Sequence, residues 1–178
     1  MGVLILFKKL KKIIRYLEIL TSAPGYLGSA LIIPLTVAIC YEVFVRYLFR
    51  SPTTWAFEFG YLVMGFHFLL GGALTLKKQE HVRIDIIYNK LSTKNKAFVD
   101  LTFYLFLIIP CLSVLSFRLF LHTQNSFLSN ETTGQSAWNP PIWPMHFVLF
   151  LSFFILFLQV VAECLKCLIS IKGNEKKI

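Results

Sequence analysis

Two cysteines stand three apart in Cys164-Leu165-Lys166-Cys167, the spacing of a dithiol redox centre. Cys40 and Cys111 lie inside apolar runs, and no cysteine falls in a segment expected to face outward, so the external pair needed by a membrane disulfide-forming enzyme is missing. The pair is expected on the reducing, cytoplasmic side, where packing as small apolar side chains is the reading that fits. The four histidines raise haem ligation instead. His67 falls about 11 residues into the second expected span from its outer end and His146 about three into the fourth, a depth difference of roughly 12 Å at 1.5 Å per residue. His81 and His122 are expected outside the spans and on opposite sides. His67 is therefore expected as a hydrogen-bonded packing residue, and no cofactor or metal is expected.

Ionisable groups within apolar runs are the remaining candidates for chemistry. Glu42 and Arg46 stand four apart on one helical face with the acid on the N-terminal side, the favourable order for an ion pair. Both lie close enough to a span end to reach the interface, so a structural brace is expected rather than an ion path. Glu58 falls in the first turn of the next helix, where the dipole favours a carboxylate, and Arg46 or Arg50 across the short turn is its expected partner. No nucleophile elbow, phosphate-binding loop or H-E-x-x-H motif is found, so nothing points to an enzyme.

These residues must be positioned by membrane helices. Of 178 residues 56% are hydrophobic and 15% charged, with a mean hydropathy of +0.67. Four uncharged runs, Ile19 to Tyr41 (23 residues), Phe59 to Leu76 (18), Leu101 to Phe117 (17) and Thr132 to Ala162 (31), are each sufficient to cross a bilayer as a helix. Too little chain is left for a soluble catalytic domain. The expected fold is an all-α integral membrane protein of four transmembrane helices, at about residues 26–48, 55–76, 96–120 and 143–165.

Of the 18 Lys and Arg, only Arg46, Arg50 and Arg118 lie outside the N-terminal segment, the second connection and the C-terminal tail. The positive-inside rule then places both termini in the cytoplasm and the first and third connections outside. The net charge of +9 is thus read as a topology and lipid-headgroup signal, with no nucleic-acid partner. Val3 to Phe7 is too short for a signal-peptide core. Leu6, Leu10, Ile13, Ile14, Leu17 and Leu20 at helical spacing among lysines predict an amphipathic helix along the membrane surface over residues 1–25, ended by Pro24-Gly25. Residues 26–170 would form one bundle and residues 171–178 a basic cytoplasmic tail.

Within that bundle Pro34 is expected to kink the first span, and span three carries Pro110. Thr53 and Thr54 are expected to cap the second, and Pro144 to sit in the first turn of the fourth. Gly71-Gly72-Ala73 predicts a close helix approach. Trp55, Trp138 and Trp143 fall where an aromatic belt is expected. No internal repeat or pair of interrupted spans suggests a self-sufficient transporter.

The run from Arg46-Tyr47-Leu48-Phe49-Arg50 through Ser51-Pro52-Thr53-Thr54-Trp55-Ala56-Phe57-Glu58, followed by Gly71-Gly72-Ala73 and His81-Val82-Arg83-Ile84-Asp85, resembles the small, DctQ-type membrane subunit of tripartite ATP-independent periplasmic (TRAP) transporters. The resemblance covers about residues 20–170. Trp138-Asn139-Pro140-Pro141-Ile142-Trp143-Pro144 is similar to one branch of that family. Many members have two adjacent acids after the tryptophan where this chain has Phe57-Glu58.

The resemblance implies a bacterial inner-membrane uptake system, in which a periplasmic binding protein captures a small organic acid and a large membrane subunit carries it inward with an ion gradient. The small subunit would act as a scaffold for the large one and contribute surface to the binding protein. Glu42, Arg46, Arg50, Trp55, Glu58, Gly71, Gly72, His81, Arg83, Asp85, Trp138 and Trp143 would then serve structure and partner contact. Val82, Ile84, Ile86 and Ile87 would lie at the inner headgroups among basic residues. Two alternatives stand beside it: the anchor subunit of a haem- or quinone-linked oxidoreductase, and a freestanding small transporter.

Overall fold

Prolines and polar breaks set the helix boundaries of this chain. The structure is a computed structural model and describes residues 2–78, 80 and 91–174. Helix α1 spans Gly2–Ala30, α2 Ile32–Leu48 and α3 Ala56–Lys77. Helix α4, Thr93–Phe103, passes through a π-helical turn at Tyr104–Ile108 into α5, Ile109–Leu128. Helix α6 covers Trp143–Asn174. Among the described residues there is no strand, only an isolated antiparallel bridge between Thr132 and Pro141. Among the described residues four stretches are long and apolar enough to cross a membrane: Lys9–Leu48, Ala56–Lys77, Lys94–Leu128 and Trp143–Ile171. His81, Arg83 and Asp85, with Val82, Ile84, Ile86 and Ile87, lie outside the described residues.

The expected break at Pro24-Gly25 is not there, because α1 runs straight through Pro24. The interruption falls at Leu31, three residues before Pro34. Pro34 has no N–H to offer, and its ring opposes the carbonyl four residues back, that of Ala30. The chain turns tightly there, with the Leu31 N–H on Gly28 O at 3.1 Å, and α2 starts again at Ile32. Pro110 is handled differently. The preceding π turn, in which the Ile109 N–H reaches Tyr104 O, widens the helix just ahead of the ring, so α4 and α5 continue as one span. That span ends at Leu128, eight residues past the expected Phe120.

Helix α6 is the hub, packed on α1, α3, α4 and α5, while α2 packs on α3. Its Val160 and Cys164 meet Leu76 of α3, Tyr104 of the π turn and Leu112 of α5 in the main apolar core, with Cys167 packed against it. The cysteine pair thus sits where packing of small apolar side chains was expected. Span one runs antiparallel to α3 along its whole length, from Glu18 and Ser22 beside Lys77 to Glu42 beside Thr53. The two ends are distinct: one carries the connections 49–55 and 129–142, the other the start of α1 and the end of α6.

Candidate functional site

At the connection end the Glu42–Arg46 pair forms as the spacing predicts. The Nε and Nη2 of Arg46 donate to Glu42 Oε1 at 2.9 and 2.5 Å. The other carboxylate oxygen accepts from the Thr53 N–H at 2.9 Å and from the Thr53 hydroxyl. Thr53 Oγ1 in turn receives the Ala56 N–H of the first turn of α3 at 3.3 Å, while Thr54 takes no part. One acid therefore ties the end of α2, the connection and the start of α3 together. Trp55 closes the corner, stacked on Tyr41 at 6.2 Å and edge-on to Phe59 at 5.9 Å.

Glu58 departs from expectation. Neither Arg46 nor Arg50 reaches it: Arg46 is forked onto Glu42, and Arg50 sits exposed in a left-handed turn with φ 52°. Glu58 is instead wholly buried and accepts the Ser136 hydroxyl from the third connection. Its Oε1 has no hydrogen-bond partner among the described residues. Ser136 also receives the Trp138 N–H at 3.1 Å and the Asn139 N–H at 3.4 Å, so the serine is the node on which that connection folds. Trp143 packs edge-on to Phe127 at 5.4 Å, joining the ends of α5 and α6, while Trp138 stays exposed.

The close helix approach is made by other glycines than those expected. A Cβ placed at Gly71 or Gly72 meets nothing of this chain within 4 Å. At Gly25 it would lie 2.7 Å from Leu74 Cβ, and at Gly28 2.9 Å from Leu70 Cβ, so α1 crosses α3 at the Gly25 and Gly28 positions. Ala73 is buried. Gly72 instead lines an open apolar groove with Phe68, Leu69, Phe153 and Leu156. His67 Nδ1 bonds Gly28 O at 2.9 Å at that crossing, in the packing role expected of it.

The terminal end holds a network that sequence reasoning missed. Gln159, buried completely in α6, accepts the Thr21 hydroxyl of α1 at 2.5 Å and donates to Glu163 Oε1 at 2.9 Å. Lys166 Nζ bridges Glu163 at 2.7 Å and Glu18 of α1 at 2.5 Å. Lys77 of α3 donates to Ser22 at 2.8 Å. Opposite charges are thus paired as they leave water, which is the condition for burying them at all. The signal lay in the spacing of Gln159, Glu163 and Lys166, four then three apart on one face of a helix.

His122, expected beyond the span, lies within α5, its ring 4.2 Å from that of His146. Among the described residues no group of three or more His, Cys, Asp or Glu is placed to hold a metal ion.

Fold and site together define a four-span helical membrane protein whose polar side chains knit helix ends together. Residues 35–169 match the family of DctQ components of tripartite ATP-independent periplasmic transporters, and the chain belongs to that family. Members of this family are parts of transporters and not enzymes, so the chain is a multi-pass TRAP small subunit. It is 29% identical over 135 residues to the sialic acid TRAP transporter small permease protein SiaQ of Vibrio cholerae serotype O1 (strain ATCC 39315 / El Tor Inaba N16961), covering 74% of this chain and 73% of that one. It is also 31% identical over 87 residues to the sialic acid TRAP transporter permease protein SiaT of Haemophilus influenzae (strain 86-028NP), covering 49% of this chain and 14% of that longer one.

Proposed function

We propose that this chain is the scaffold subunit of a TRAP-type importer in a bacterial inner membrane, holding the large transport subunit and giving part of the seat for a periplasmic binding protein. The family match over residues 35–169 carries this reading. Both relatives are named for sialic acid, which is an organic acid, in keeping with import of a small organic acid on an ion gradient. In this reading the termini are cytoplasmic and the connections 49–55 and 129–142 periplasmic, which the distribution of Lys and Arg supports. The basic N-terminal helix and tail then meet anionic lipid headgroups. A cysteine introduced at Ser129 should react with an impermeant thiol reagent in intact cells, and one at Lys94 only after lysis. The reverse pattern would invert the topology.

The surface for the large subunit is the stripe of α3 that this chain leaves bare, Phe57, Met64 and Phe68 exposed and Gly72 in a groove beside them. Gly72→Leu tests it, since a Cβ there has no neighbour within 4 Å and the longer side chain would extend into the open groove. The variant is expected to fold with unchanged thermal stability and to lose most of its co-purification with the large subunit. Normal co-purification would place the partner on another face.

A further inference from the structure

Glu58 is not explained by stability. A carboxyl group buried at the end of a membrane helix is costly unless fully hydrogen-bonded, and here only one of its two oxygens has a partner among the described residues. That partner is Ser136, the node that also gathers the backbone of Trp138 and Asn139. Around the node the connection is a built platform. Thr133 N–H bonds Pro140 O at 3.1 Å, Ile142 N–H bonds Glu131 O at 3.0 Å, and Gly134 N–H bonds Asn139 Oδ1 at 2.7 Å. Left-handed backbone at Asn130, Gly134 and Asn139 shapes its turns. The platform exposes Glu131, Gln135, Trp138 and Asn139, and a tryptophan ringed by hydrogen-bonding groups is the composition of a protein-docking patch.

We infer that Ser136, held from beneath by buried Glu58, is a positioning residue that sets the 129–142 platform in the form on which a water-soluble binding protein docks. This rests on the scaffold reading above. The latch acts on recognition and not on translocation, because Glu58 is wholly buried and its one hydrogen bond goes to the 129–142 connection.

The test is uptake by proteoliposomes holding the assembled complex, followed as a function of binding-protein concentration. Ser136→Ala should raise the half-saturating concentration of binding protein roughly tenfold, on the scale of one buried hydrogen bond, with maximal uptake and complex yield unchanged. Glu58→Leu should match it. Glu58→Gln, which keeps an acceptor oxygen, should restore near-normal half-saturation. A fall in maximal uptake or in complex yield with half-saturation unaltered would make the latch a fold brace and overturn the inference, as would three variants indistinguishable from wild type. Wild-type uptake that needs no binding protein would instead remove the scaffold reading itself.

Discussion

A Gly28→Leu variant is expected to lose most of its folded, detergent-stable population. At this point α1 lies against α3 so closely that even a methyl group would stand 2.9 Å from Leu70 Cβ and 3.4 Å from the His67 carbonyl oxygen. Neither neighbour is the far end of a flexible side chain, so the helices themselves must part. Overpacking of this kind costs about 1–3 kcal/mol for a methylene or two, and leucine adds more. Parting the helices also strains the bond between His67 and Gly28 O and unseats Gly25 from Leu74, one helical turn away. Thermal unfolding of the purified subunit measures this, and alanine variants give the sharper contrast. Gly28→Ala should lower the midpoint, whereas Gly71→Ala, facing open space, should leave it unchanged or raise it, because alanine is the better helix former by about 1 kcal/mol. Equal effects at the two positions would mean that α1 does not cross α3 there.

The second large effect is expected at the terminal end. Lys166→Met would leave Glu18 and Glu163 without the ammonium that bridges them. Removing one partner of a fully buried pair costs about 3–5 kcal/mol, and with the Lys166 side chain 35% exposed, water should bring the loss to about 1–3 kcal/mol. The loss should be local, because Lys166 joins Glu18 of α1 to Glu163 of α6. Hydrogen exchange should therefore quicken in α1 around Glu18 to Ser22 and stay slow in α5. The double variant Lys166→Met/Glu163→Gln should recover part of it by removing one of the opposed charges. Uniform acceleration through all four spans would show that the clasp belongs to the global fold and not to α1.

How much of this was legible in the sequence depends on the kind of contact. The four spans and their order follow from uncharged runs bounded by charged residues, because the bilayer penalises charge by position along the chain. The Glu42–Arg46 pair was legible because a helix places residues four apart on one face, whatever surrounds it. The glycine crossing was not. Small residues permit a close approach, but which helix comes close is a property of the packed bundle, and so Gly25 and Gly28 take the role expected at Gly71 and Gly72. Pro24 and Pro34 look alike as letters. The chain passes through the first and breaks ahead of the second, and nothing in the letters separates them. The clasp was hidden for a similar reason: Glu18 and Glu163 stand just outside their apolar runs and read as boundaries, and only the fold brings them to one lysine. Glu58 was placed correctly in the first turn of its helix, but its partner Ser136 lies 78 residues on, beyond any local rule.

As the proposed scaffold subunit, this chain would support transport without performing it. Proteoliposomes containing the purified small subunit alone, loaded with an ion gradient and offered an organic acid such as sialic acid with its binding protein, should show no uptake above empty vesicles. Adding the large membrane subunit should turn uptake on. Accumulation of the acid by vesicles holding only this chain would contradict the account.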